Sequence, residues 1–152
     1  MNRRRVLRCA CVGLLPALPA TAQPSRNAPA PPLALPAGMS PLPRGAYRVQ
    51  FRAGQTELAP AARETLGELG KRLASLPEGR GRITVEGQAS GPANDPSTAR
   101  RIALARANAV RAALVAGGLA ETRVDVRALG RTPAALDAAD VLPPEARGGG
   151  GR

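Results

Sequence analysis

The hydrophobic period of this chain changes four times, and those changes restrict it to a fold that alternates strands with helices. Tyr47, Val49 and Phe51 alternate with Arg48, Gln50 and Arg52, the period of two that marks a strand with one buried face. Leu58, Ala62, Leu66, Leu69, Leu73 and Leu76 then recur at spacings of three and four. This predicts an amphipathic helix entered through Pro60 and ended by Pro77 and Gly79. Alternation returns with Ile83 and Val85 against Thr84 and Glu86. A second helix is predicted from about Pro96 to Ala116, capped by Asp95 or Ser97, with Ile102, Ala103, Ala107, Val110 and Leu114 on its apolar face and Gly117-Gly118 at its end. Val124 and Val126 alternate with Asp125 and Arg127 in a third strand, and Asp140-Val141-Leu142 forms a short fourth. The βαβαββ order predicts an α+β two-layer sandwich, with two helices on one face of a small mixed sheet.

This folded unit is expected over about 45–142, and different chemistry flanks it on each side. Residues 1–22 have the order of a secretory signal peptide. Met1 to Arg8 is a basic start, Cys9 to Leu18 is apolar, and Ala20-Thr21-Ala22 is a small-residue cleavage site. The apolar run is too short to span a bilayer, so no transmembrane segment is expected after cleavage. Arg3-Arg4-Arg5-Val6-Leu7-Arg8 also matches a twin-arginine pattern, and Sec and twin-arginine export both fit. Residues 23–44 are rich in proline and alanine without apolar periodicity, which reads as an extended linker of roughly 3.1 Å per residue. Pro143-Pro144 stops regular structure, and 143–152 reads as a flexible tail.

Export removes several function classes. Both cysteines, Cys9 and Cys11, fall inside the signal, so the mature chain has no thiol for disulfides, catalysis or metal ligation. Arg8 directly before Cys9 is unlike a lipidation site. The chain contains no histidine, and no metal site or cofactor is expected. The formal charge of +11 falls to +7 once Arg3, Arg4, Arg5 and Arg8 are gone, which leaves 18 basic residues against 11 acids. Such a surface suits an anionic envelope partner rather than nucleic acid, because the chain is exported and Tyr47 and Phe51 are its only aromatics. Lys71 is the single lysine, and the codon bias of a GC-rich genome accounts simply for the many arginines.

Function is expected between Glu86 and Leu114, where a polar loop is braced by a strand and a helix. Val49 to Pro60, the Val85-Glu86-Gly87 strand end, the helix Arg106-Ala107-Asn108-Ala109-Val110-Arg111-Ala112-Ala113-Leu114 and the late Arg123 to Gly130 segment resemble the OmpA-like peptidoglycan-binding domain. The resemblance covers roughly 46–142. It implies a periplasmic or outer-membrane-associated module that binds diaminopimelate in the peptidoglycan stem peptide. An arginine there grips the ligand's carboxylate and an aspartate accepts from its ammonium. By position Arg106 matches that arginine, preceding Ala107.

The chain departs from the family at its other polar positions. Gly87-Gln88-Ala89-Ser90 stands where Gly-His-Thr-Asp is usual, so Ser90 replaces the aspartate. Ala99, Ala103 and Ala105 replace an asparagine, a serine and an arginine. The loop is about one residue longer than usual. Asp137-Ala138-Ala139-Asp140 lacks the family's paired arginines. The expected ligand-binding residues are therefore Arg106, Ser90, Gln88 and Asp95, the last offering a carboxylate from the lengthened loop. Each has a structural alternative: Arg106 as a solvated helix arginine beside Arg100, Arg101 and Arg111, Asp95 as a cap, Gln88 and Ser90 as loop polarity. Asp125 reads as an outward-facing strand residue.

Two functions follow. One is a non-catalytic envelope module that binds peptidoglycan through a degenerate site. The other is a periplasmic scaffold of the same fold that contacts envelope proteins and no longer binds peptidoglycan. Catalysis is disfavoured, because Ser90 has no histidine to take its proton, Lys71 lies far along the first helix, and Glu86 with Asp95 is an ordinary acid pair. The export reading is checked by N-terminal sequencing of protein recovered from the periplasm of an expressing cell, which we expect to begin at Gln23.

Overall fold

The alternation of periods becomes two layers. The computed structural model describes residues 32–76 and 81–147. The signal peptide, the linker as far as residue 31, the helix-ending Pro77 and Gly79 and the tail after residue 147 lie outside the described residues.

In chain order the elements are β1 (Met39–Pro41), β2 (Tyr47–Gln50), α1 (Pro60–Ala74), β3 (Ile83–Gln88), α2 (Pro96–Ala116), β4 (Val124–Gly130), β5 (Ala138–Leu142) and a single helical turn, α3 (Pro144–Arg147). The sheet order is β1-β2-β5-β3-β4. Neighbours run antiparallel except β3 and β4, which are parallel and therefore need the long crossover that α2 provides. The α+β two-layer sandwich expected from the pattern is thus the observed fold.

Register assigns the two faces. Tyr47, Val141, Val85 and Val126 lie in one cross-strand row. Val49, Val85 and Val141 share a single core with Leu66 and Leu69 of α1 and with Val110 and Leu114 of α2, which places both helices on this face. The next row reads Arg48, Asp140, Glu86, Arg127 across β2, β5, β3 and β4. Two carboxylates directly opposite each other repel. Here each is neutralised from outside: Arg48 holds Asp140 through two bonds of 2.7 Å, and Arg127 reaches Glu86 at 2.8 Å. Asp125, expected to face outward, stands one step along the same face and pairs with Arg82 at 3.4 Å.

The expected linker and tail need correction at the ends nearest the domain. Met39–Pro41 is an edge strand paired with β2, and Leu33 and Leu35 lie against the core. Three residues ending in proline give no readable period, and only an edge position tolerates Pro41. Residues 144–147, expected to be part of the tail, make the helical turn α3. β3 runs on through Gly87 to Gln88, so Gln88 is a strand residue rather than loop polarity. β5 begins two residues before Asp140 and is an interior strand between β2 and β3.

α1 and α2 approach so closely at Gly70 that a Cβ there would overlap the Leu114 carbonyl. Gly67, one turn earlier, faces open space. We expect Gly70→Ala to lower stability by about 1–3 kcal/mol through overpacking. Gly67→Ala should raise it by up to ~1 kcal/mol through helix propensity. Urea denaturation midpoints of the two variants check both signs.

Candidate functional site

Arg106 leaves the sheet-facing side of α2 with no solvent exposure at all. A buried guanidinium is tolerable only when its donors are met and its charge is balanced. Both conditions hold. Nε donates to the Gln55 carbonyl at 2.8 Å and Nη2 to the Arg52 carbonyl at 3.1 Å, both in the connection from β2 to α1. Nη1 donates to the Gln88 carbonyl at the end of β3 at 2.8 Å and to Asp137 Oδ1 just before β5 at 2.6 Å. Cζ lies 5.2 Å from the Phe51 ring centroid, adding a cation–π contact. One side chain therefore joins three connections that are distant in sequence.

Small residues make this reach possible. Ala89, Ala99 and Ala103 are fully or almost fully buried against one another. A Cβ at Gly87 would overlap the Ala103 carbonyl, so only glycine lets α2 lie this close to β3. The alanines that replace the family's polar residues at positions 99 and 103 are thus packing residues here. A register shift between Gly87 and Gln88 turns the end of β3 and presents the Gln88 carbonyl to Arg106.

Asp137 is the partner that sequence reasoning passed over. Its carbonyl accepts from Phe51 N–H at 2.8 Å, which fixes its backbone beside β2. Its Oδ1 takes both the Arg106 bond and the Ser90 N–H at 3.1 Å, and 18% of the side chain stays open to solvent. Burial pushes the Asp137 carboxyl up, but the Ser90 hydroxyl and amide and the Arg106 guanidinium outweigh it, so the net pKa is below the ordinary aspartate value. No local pattern marked this residue, because its partner is 31 positions away.

The four residues expected from sequence are not used alike. Arg106, Gln88 and Ser90 come together around Asp137. Gln88 is buried, with Nε2 donating to Asp140 Oδ2 and Oε1 accepting from Thr132, each at 3.1 Å. Ser90 is partly exposed, and its carbonyl accepts from Arg131 Nε at 2.9 Å. Asp95 is engaged as the N-cap of α2, accepting from the Thr98 hydroxyl at 2.6 Å and the Thr98 N–H at 3.0 Å. Those Thr98 bonds, the hydroxyl foremost, hold its pKa below the ordinary value. The arrangement contains a partly exposed carboxylate, Asp137, held by a buried cation. Among the described residues no three metal-ligating side chains cluster.

A family model described as the OmpA family matches residues 50–141, more than half of the chain and nearly all of the sandwich. The chain belongs to the OmpA family. Solved structures agree on the OmpA-like fold. The peptidoglycan-associated lipoprotein from Burkholderia pseudomallei is 19% identical, with 62% of this chain and 87% of that one covered at a TM-score of 0.54. The periplasmic domain of Helicobacter pylori MotB is 14% identical, with 64% and 73% covered at 0.53. No curated protein sequence matches the chain. At these identities the likeness is one of fold, and residue roles in this OmpA-family chain rest on its own geometry.

Asp137→Asn removes the counter-charge of a fully buried guanidinium. We expect a loss of about 3 kcal/mol at pH 7, near the lower end for breaking a buried pair because three carbonyls still hold Arg106. Asp137 has a lower pKa folded than unfolded, so its stabilisation is complete above the ordinary value of about 3.9 and fades as pH falls through the folded value. Urea titrations of both proteins from pH 7 downward should therefore converge in acid.

Proposed function

We propose that this chain is an exported, non-catalytic module of the bacterial cell envelope that binds the peptidoglycan stem peptide through a degenerate OmpA-type site. Membership of a family whose members typically bind peptidoglycan supports the class. The periplasmic domain of MotB has the same fold, which suits placement in the periplasm or at the outer membrane. Among the described residues no helix is long and apolar enough to cross a membrane.

One observation carries the finer reading: a partly exposed carboxylate, Asp137, is held by Arg106 and the Ser90 amide. Ser90 cannot neutralise an ammonium, whereas Asp137 can. In this reading Arg106 acts through Asp137 rather than meeting the ligand itself, since its guanidinium has no exposed surface. Gln88 supports the same arrangement, its carbonyl meeting Arg106 while its side chain bonds Thr132 and Asp140. The diaminopimelate ammonium is the group that Asp137 would receive.

The complete burial of Arg106 also favours the second reading, a scaffold for envelope proteins in which the old site has become a structural joint. Co-sedimentation with purified sacculi separates the two. We expect the mature protein to co-sediment, free diaminopimelate to compete, and Asp137→Asn to lower the bound fraction severalfold at a temperature where circular dichroism shows both proteins folded. Equal binding by Asp137→Asn removes Asp137 from the site, and no sedimentation by the wild type leaves the scaffold. Intact sacculi after prolonged incubation are the expected result for a module without hydrolase activity.

A further inference from the structure

Most arginines in the described part of the sandwich that make side-chain contacts are matched to acids. Arg48, Arg82, Arg106, Arg111 and Arg127 each pair with a carboxylate. Arg101, Arg123 and Arg131 bond uncharged oxygens instead, and among the arginines without an acid partner Arg100 and Arg131 occur in one cleft. Both line a cleft of about 430 Å³ beside the opening turn of α2, whose lining contains no acidic residue. Arg100 makes no hydrogen bond or ion pair with any described residue. Arg131 spends only Nε, on the Ser90 carbonyl, and its outer nitrogens take no part in that bond.

The backbone brings these two residues to one cleft. β4 ends at Gly130, where a Cβ would stand 3.4 Å from the Arg100 Cα, so Arg131 follows directly from the point at which β4 touches α2. Pro92, Pro96 and Pro133 form the remaining walls, and their fixed φ angles limit collapse of the cleft. Thr132 adds a hydroxyl to the lining. Two like charges in one rigid-walled cleft without a facing acid raise the local potential, and an incoming anion lowers it. Guanidinium forks match the spacing of oxygens on carboxylate and phosphate groups.

We propose that the Arg100–Arg131 cleft is a binding site for an oxyanion, carried on a carboxylate or a phosphate group. The site is separate from the Asp137 carboxylate, which suits the opposite charge, and is linked to it through Ser90 and, by way of Thr132 and Gln88, through Arg106. A ligand bearing both charges can therefore span the two, but the cleft's affinity for a simple anion does not depend on that.

The test is thermal unfolding of the mature protein with increasing sodium phosphate or sodium succinate, at ionic strength held constant with sodium chloride. We expect a saturable rise in Tm with at least one of the two anions. Arg100→Gln and Arg131→Gln should each weaken the fitted Kd about tenfold, in line with loss of a charged hydrogen-bond donor. Arg63→Gln, an exposed arginine on α1, should behave as wild type. A response to phosphate alone assigns a phosphate-bearing ligand, and a response to succinate alone assigns a carboxylate. Arg100→Gln has no described bond to lose, so it separates binding from folding. A rise in Tm that never saturates, or one that Arg100→Gln and Arg63→Gln share with wild type, overturns the site.

Discussion

The guanidinium of Arg106 is the interaction on which the end of this sandwich depends. It is the largest fully buried side chain, and it carries a charge. A cation at that depth costs several kcal/mol unless it is fully engaged. The β2–α1 connection supplies two carbonyls, β3 supplies a third and Asp137 supplies the counter-charge. Their positions follow from the need to satisfy one side chain, and the need becomes stronger as water is excluded.

Around that joint the chain gives up polarity for closeness. The alanines at positions 89, 99 and 103 and the glycine at 87 allow α2 to descend onto β3, and only then does Arg106 span the distance to Gln88. The far face of the sheet solves a different problem. Asp140 and Glu86 stand opposite each other at its centre, and Arg48 and Arg127 flank them. Gln88 links the two regions, since its carbonyl serves Arg106 while its side chain serves Asp140. A buried polar residue with both ends occupied ties the site to the sheet more firmly than an exposed loop residue would.

The family pattern and the observed geometry bear differently on the site. An aspartate missing at position 90 reads as a loss when the chain is followed in one dimension. In three dimensions a carboxylate lies within 3.1 Å of the Ser90 amide, delivered by the β4–β5 connection. An acidic group and the arginine are therefore both present and bonded to each other, although the acid comes from a different part of the chain than the pattern suggests.

Much of the fold could be read from residue order, because burial on one face imposes a period of two on strands and near 3.6 on helices. The three strands and two helices with a clear period stand where the pattern put them. β1 was illegible, since three residues ending in proline carry no period, and the interior position of β5 was not encoded locally. Arg106, Gln88 and Ser90 were identifiable as a group because they bracket one loop and one helix. The choice of Asp137 over Asp95 as the acid beside Arg106 was decided only by tertiary structure. Asp95 lies close in sequence but its oxygens are taken by the first turn of α2, whereas Asp137 is distant in sequence and is brought in by the pairing of β5 with β2 and β3. Periodicity is a property of neighbours along the chain, and so sequence alone determined the elements and their buried faces. Satisfying a buried charge depends on neighbours in space, and only the assembled sheet determined which acid would balance Arg106.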